Sequence, residues 1–356
     1  MHYFDANASE PLRPEARAAM LAALDLTGNP ASIHHDGRAV RRLLEDARET
    51  LAARFGGSPD RLVFVSGGTE ADAAAIHALG TGRRVIIGAT EHGAVCAAAP
   101  GAEIVPVDGN GLADLTALRT MLQGPPALVC LMHANNETGV IHPIAAAASL
   151  CRDAGALLHV DAVQSAGRIP VDIRSLGADS LAISAHKLGG PAGAGALLFA
   201  HDGAVRPLIT GGGQERGWRG GTPPVAVIAG FAAASSCPPP ALELRAIIEH
   251  AATKAGAVVV GSGAPRLANT ACLGLPGVAA QRQVMALDLA GFSVSAGAAC
   301  SSGKVARSHV LHAMGLGPLA GEAIRVSLPW NVTAAAVEAF VTAYHDMAAR
   351  LVRRAA

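Results

Sequence analysis

No two of the six cysteines form a CxxC pair: Cys96, Cys130, Cys151, Cys237, Cys272 and Cys300 stand apart. That argues against a structural zinc site or a redox couple. No run of lysine or arginine exceeds a pair, and 28 basic residues balance 28 acidic ones, so nucleic acid is not an electrostatically favoured partner. The longest apolar stretch, around Val225 to Ala234, is too short to span a bilayer. An N-terminus carrying Asp5, Glu10, Arg13 and Glu15 does not read as a signal peptide, so a cytoplasmic location without membrane attachment is expected. Nucleotide motifs are missing as well. The stretch from Gly297 to Lys304 is one residue too long for a P-loop and lacks the Ser/Thr that would hold magnesium. Gly211-Gly212-Gly213-Gln214-Glu215-Arg216 is glycine-rich but is not GxGxxG, and the first strand–helix junction carries no dinucleotide fingerprint, so a Rossmann dehydrogenase is not expected. There is no internal repeat.

What is present is alternation. Between Arg61 and Phe199 strand and helix patterns follow one another, a series that implies an α/β fold with a mostly parallel sheet covered on both faces. Helix patterns include Arg38 to Phe55, with Leu43, Leu44, Ala47, Leu51 and Phe55 on one face, and Ile144 to Ala154, opened by Pro143. The Pro238-Pro239-Pro240 run marks a boundary. Beyond it a smaller lobe is expected, with helices near Ala241–Lys254 and Ala334–Arg353 and short strands near Val258, Ala271 and Ile324.

The chemistry-bearing residues sit at the ends of the apolar strands. Lys187, in Ser184-Ala185-His186-Lys187, follows the apolar run Leu181-Ala182-Ile183 and enters the turn Gly189-Gly190. An amine so placed is desolvated, which lowers its pKa and makes it a nucleophile toward carbonyls. Asp161 ends the run Leu157-Leu158-His159-Val160 and should meet the same pocket. A Schiff-base lysine with an aspartate for a pyridinium nitrogen is what pyridoxal phosphate (PLP) needs from a protein. The alternative for the same two residues is a buried ion pair joining two strands. Ser66-Gly67-Gly68-Thr69-Glu70 follows the strand Leu62–Val65 and opens a helical stretch, a junction that binds phosphate through free amides, though alone it reads as a capping box. His92, just past Val85-Ile86-Ile87, would stack on a pyridine ring or simply cap a helix. Asn135-Asn136-Glu137-Thr138-Gly139 follows Leu128–Met132 and would also suit a plain turn. Five strand ends delivering polar residues to one edge of a parallel sheet carry more weight than any one motif, because ligands in open α/β sheets bind there.

In this order and spacing the motifs resemble the cysteine desulfurase family of PLP enzymes, in the class V aminotransferase group. The resemblance runs from Phe4-Asp5-Ala6-Asn7-Ala8 and Gly28-Asn29-Pro30-Ala31-Ser32-Ile33-His34 to Ile324-Arg325-Val326-Ser327-Leu328. Its most discriminating segment is Ser295-Ala296-Gly297-Ala298-Ala299-Cys300-Ser301-Ser302-Gly303 with Ser308-His309-Val310-Leu311. It resembles the longer form of the loop that carries the persulfide-forming cysteine. The resemblance implies the PLP-dependent transferase fold type I. An N-terminal segment, 1–12, would pack with a small C-terminal domain, 239–356, that carries the cysteine loop at about 295–308; residues 13–238 would form the large PLP-binding domain. It implies that Lys187 anchors PLP, Asp161 keeps the ring nitrogen protonated, and His92 stacks on the ring and carries protons. Gln164 and Asn136 would bond near the phenolic oxygen. Gly68, Thr69, Ser184 and His186 would bind the phosphate, joined by Thr222 from the partner in a homodimer. Asn7, Asn136 and Arg325 would hold the substrate carboxylate, and Cys300 would attack the sulfur of bound L-cysteine.

The implied activity is therefore conversion of L-cysteine to L-alanine, with sulfur left as a persulfide for an iron–sulfur scaffold or another sulfur-acceptor protein. Transamination, selenocysteine lysis, a general C–S lyase or a non-catalytic interaction protein on the same fold are the alternatives. Departures from the family pattern are expected to matter at the edges. Pro329-Trp330 replaces a usual Gly-Arg, which would alter the entrance wall; Ala73 and Ala192 replace common Asn and Lys. The stretch 231–266 is shorter than usual, and the sequence ends at Ala356 where iron–sulfur-assembly members continue into a docking tail, which leaves the acceptor open.

Overall fold

Near-continuous apolar runs build the centre of the molecule, because a strand covered on both faces has no solvent side to keep polar. The structure, a computed structural model, describes residues 1–201, 206–237, 243–297 and 307–353. After a short N-terminal strand, β1 (His2–Tyr3), seven strands form the main sheet: β2 (Leu62–Val65), β3 (Arg84–Gly88), β4 (Glu103–Val105), β5 (Ala127–Met132), β6 (Leu157–Asp161), β7 (Ser180–Ser184) and β8 (Gly195–Phe199). Their order is β2-β8-β7-β6-β5-β3-β4. The pairs β3/β4, β3/β5, β5/β6 and β6/β7 are parallel, whereas β8 runs antiparallel to both β7 and β2. The sheet is thus mostly parallel, with one reversed strand beside the edge.

Helices cover both faces. The helix His35–Arg54 buries Val40, Leu44, Ala47 and Leu51 at helical spacing. It begins three residues before the expected Arg38, because the His34 ring accepts a hydrogen bond from the Gly37 amide and serves as its cap. The helix Ile144–Asp153 starts directly after Pro143, as its sequence predicts. The helix Val225–Ser235 is the longest apolar stretch of the sequence and packs between the helices Pro14–Leu24 and His35–Arg54. Among the described residues no helix is long and apolar enough to cross a membrane.

The remaining strands, β9 (Val258–Val259), β10 (Thr270–Gly274), β11 (Phe292–Ser293), β12 (Ser295–Ala296) and β13 (Ala323–Ser327), belong to a second core. There β12-β13-β10-β9 form an antiparallel sheet, and β1 pairs in parallel with β11. Phe4 enters this core, with its ring 5.2 Å from Phe340 and 5.8 Å from Phe292. The helices Leu244–Lys254 and Ala334–Val352 pack together over it. The first residues of the chain therefore lie against the last third.

One long connection is held by charge. In the segment 206–222, Glu215 adopts a left-handed backbone (φ 46°), a costly state for a side chain other than glycine. Its carboxylate accepts from both terminal nitrogens of Arg48 at 2.8 Å and from the Phe64 amide at 2.8 Å, all of them buried. A bidentate pair with an added amide is the geometry in which a buried ion pair offsets its desolvation.

Candidate active site

The C-terminal ends of the parallel strands and the N-terminal segment enclose a cavity of about 590 Å³. Its wall includes Asn7, Gly68, Thr69, His92, Asn136, Asp161, Gln164, Ser184, His186, Lys187 and Arg325. Eleven residues singled out from the sequence thus meet around one space, as the sheet-edge argument requires. Thr222 is exposed and stands outside this wall, and Cys300 lies outside the described residues.

Lys187 follows β7 in a single 3₁₀ turn, which swings its side chain across the strand ends. Its Nζ donates to the carbonyls of Asn7 at 2.6 Å and Ala8 at 2.9 Å. No ion pair joins it to Asp161. Burial, reinforced by the positive charges of Arg325 and Arg168, brings the amine down to about 8. The sign is then definite: the reactive neutral form increases as pH rises and dominates above about 8. Labelling of Lys187 by a small aldehyde with reductive trapping should climb about tenfold per pH unit below that value and level off above it. Peptide mass mapping across pH 6 to 10 would check this; a climb continuing to pH 10 would contradict it.

Asp161 closes β6, and its Oδ1 accepts the Val163 amide at 2.8 Å. Burial first, and the nearby Asp72 charge second, push its carboxyl up to about 7. A cationic ring nitrogen placed against it would reverse that shift, since opposite charge favours the ionised form. Two residues earlier on the same face, His159 lies between Ser180 Oγ at 2.8 Å and Asp72 Oδ1 at 3.1 Å. Ser180 and His159 are fully buried and do not line the cavity, so the Ser180 hydroxyl has no access to a substrate and this Ser-His-Asp row is not a nucleophile array.

The helix Gly68–Leu79 opens at the cavity with no side-chain cap on its first amides. Glu70 does reach back to the Ser66 amide at 2.8 Å, so half of a capping box forms, but the Ser66 hydroxyl caps nothing. Gly68 must be glycine. A Cβ there would come within 2.7 Å of the Val163 side chain. Opposite these amides the Ser184 hydroxyl is buried without any partner, and His186 is driven down to about 4 by burial and the Lys187 charge. Free amides at a helix start, an unpaired hydroxyl and a neutral imidazole form a cradle for a phosphate-like anion.

His92 combines two tasks that the sequence left as alternatives. Its Nδ1 accepts the Ala94 amide at 3.1 Å, which caps the helix Gly93–Ala98, while its ring lines the cavity. Burial lowers its pKa, so the ring is neutral near pH 7. In the Asn135-Asn136 turn the two residues divide the work: Asn135 Oδ1 accepts the amides of Glu137 and Thr138 at 2.9 Å, and Asn136 faces the cavity. Gln164 donates to the Asn7 carbonyl at 3.0 Å and accepts from Arg168.

Two residues differ from their expected environment. Asn7 is fully buried, and both hydrogens of its Nδ2 are spent, on the Asn136 carbonyl (3.0 Å) and Thr270 Oγ1 (2.9 Å). It holds the wall together and has no amide hydrogen left for a ligand. Trp330 donates to the Pro11 carbonyl at 2.9 Å and lies under Arg13, so it braces the N-terminal segment and does not line the cavity. The sequence reading also gave no site role to Asp5, Asp72, Glu137 or His309, all of which line the cavity. A carboxylate in the apolar N-terminal run was the available signal for Asp5. Among the described residues no group of three His, Cys, Asp or Glu side chains is arranged to hold a metal.

Comparison with known proteins identifies the family. The aminotransferase class-V family model matches residues 2–340. A cysteine desulfurase of Cereibacter sphaeroides is 41% identical, covering 94% of this chain and 92% of that protein. An IscS-like cysteine desulfurase of Mycobacterium tuberculosis is 36% identical over 100% of this chain and 98% of its own. The solved NifS-like protein of Rickettsia africae superposes with a TM-score of 0.90 at 32% identity, covering 98% of this chain and 99% of the other. With sequence and overall path shared across nearly its whole length, this chain belongs to the cysteine desulfurase family of class-V aminotransferases.

Proposed function

We propose that the protein is a PLP-dependent cysteine desulfurase whose Cys300 receives the sulfur. The single observation that carries the cofactor assignment is the unpaired, buried Ser184 hydroxyl facing an uncapped helix start in the cavity of Lys187 and Asp161. The residues present fit PLP. Gly68, Thr69, Ser184 and His186 would hold its phosphate, Asp161 would meet its ring nitrogen, and Lys187 would anchor its aldehyde carbon. His92 would cover the ring, and Gln164 and Asn136 would border the phenolic oxygen. Bound there, PLP supplies an electron sink for bond breaking next to the substrate α-carbon.

The chain's own groups do the rest. Arg325 takes the substrate carboxylate, with Asn136 beside it; Asn7 serves by fixing Asn136 and Lys187. The Lys187 amine, its pKa lowered to about 8, removes the α-proton and returns it to the same carbon as alanine forms. The Cys300 thiolate attacks the sulfur of L-cysteine. One S–S bond forms, the Cβ–S bond breaks, and Cβ takes up a proton delivered through His92. The balance is L-cysteine plus Cys300 thiol giving L-alanine plus Cys300 persulfide. A sulfur-acceptor protein, an iron–sulfur scaffold or a sulfur carrier, then discharges the persulfide.

We also assign Thr222 to the partner's phosphate site in a two-fold homodimer, since it is exposed on its own chain. The division into 1–12, 13–238 and 239–356 follows the two cores, with the second boundary in a stretch outside the described residues. The setting we propose is cytoplasmic. Incubation with L-cysteine should yield one alanine for each sulfur, recovered as protein-bound persulfide or, with reductant, as sulfide, from a protein that light scattering finds dimeric. Sulfide without protein-bound persulfide would refute the assignment to Cys300.

A further inference from the structure

Arg325 reaches the cavity from β13 with an ion-pair partner already in place. Asp5 Oδ1 accepts from its Nη2 at 2.7 Å, and the Asn136 carbonyl accepts from its Nη1 at 3.1 Å. We propose that Asp5 is the positioning residue of the carboxylate clamp: it fixes the Arg325 guanidinium so that its remaining N–H groups receive one substrate carboxylate. This rests on the reading that Arg325 binds that carboxylate.

The attachment of Asp5 is rigid on every side. Its backbone forms a parallel bridge with Ser327, two residues beyond Arg325, and the flanking bonds are Ala6 N–H to Ser327 O (3.1 Å) and Ser327 N–H to Phe4 O (2.9 Å). The Tyr3 hydroxyl donates to its carbonyl at 3.0 Å. The second carboxylate oxygen accepts from Ser295 Oγ at 2.8 Å, and Ser295 faces Arg325 across the β12/β13 register. One carboxylate thus ties the guanidinium to two strands.

The donor inventory leaves room for a ligand. A guanidinium carries five N–H groups, and only two are committed here. The Nε is buried with no partner, and each terminal nitrogen keeps a second hydrogen. A buried polar donor without an acceptor is costly unless a ligand supplies one. Asp5 also neutralises Arg325 before substrate arrives, so the clamp does not hold a bare charge in a side chain only 7% exposed. Holding the fork in one orientation removes rotamer freedom in advance, which is how preorganisation raises affinity.

The test compares a carboxylate ligand with its ester on the holoenzyme. L-alanine and L-alanine methyl ester share everything except the anionic group, and their dissociation constants can be read from the visible cofactor spectrum. Asp5→Ala should weaken L-alanine about tenfold, the cost of losing a charged hydrogen bond, and leave the ester within about twofold. Asp5→Asn keeps an oxygen on Nη2 and should weaken L-alanine by about threefold, again sparing the ester. That variant carries the test if Asp5→Ala does not fold. Equal losses for both ligands, or none, would overturn the positioning role. Arg325→Ala serves as the separate control. If it too affects acid and ester alike, the clamp itself is misassigned; if it affects only the acid while both Asp5 variants do not, Asp5 alone is.

Discussion

Lys187→Ala should abolish the borohydride-fixed cofactor and reduce alanine formation at least about 1,000-fold, within the range lost when a positioned acid–base group is removed from the chemical step. The parent protein should be yellow, and reduction should fix the colour to one peptide. The assignment is unusually open to disproof, because the chain contains only three lysines: Lys187, Lys254 and Lys304. Lys254 is exposed to solvent in the last turn of its helix. Lys187 differs in being desolvated, with its amine at about 8 and two backbone carbonyls aiming it into the cavity. Cofactor trapped on Lys254 or Lys304 would end the present reading of the site.

Cys300→Ser should retain the cofactor and still bind L-cysteine, yet lose persulfide and alanine formation by at least about 100-fold. A hydroxyl is a far weaker nucleophile toward sulfur than a thiolate. The other five cysteines are poor candidates for the same role. Cys130, Cys151 and Cys272 are buried, and burial pushes all three thiols up, Cys151 to about 12. Cys96 and Cys237 are also raised by partial burial. Thiols held protonated neither attack sulfur nor bind it well, so substituting these five should affect packing and not turnover. A transaminase or simple lyase would need no protein thiol. A Cys300→Ser protein that makes alanine at close to the parent rate would therefore establish one of those reactions instead.

Much of the fold was readable because its signals are local. Apolar runs such as Leu128–Met132 and Leu181–Ile183 mark buried strands by themselves, and Pro143 announces the helix that follows it. The reversal of β8 was not readable, since Gly195–Phe199 is equally apolar in either direction and its pairing is set by strands distant in sequence. At the site, residue type and strand-end position were enough to select Lys187, Asp161 and His92. They could not show that His92 both caps a helix and faces the cavity, nor that the amide of Asn7 is already committed to Asn136 and Thr270. Those facts depend on partners supplied by tertiary structure. Asp5 was missed for the same reason: a lone carboxylate acquires meaning only from the guanidinium it meets.

The Asp5–Arg325 pair joins positions 320 residues apart. During synthesis, therefore, the ribosome releases every catalytic strand end of the main sheet long before the guanidinium that completes the cavity. A chain halted before β13 has Lys187 and the phosphate cradle but no carboxylate clamp. Closing so long a loop costs little more than closing a shorter one, since each doubling of length adds only about 0.6 kcal/mol. The fold thereby reserves substrate recognition for a chain that is nearly finished, and a nascent fragment able to take up cofactor is still without the residue that would let it select an amino acid.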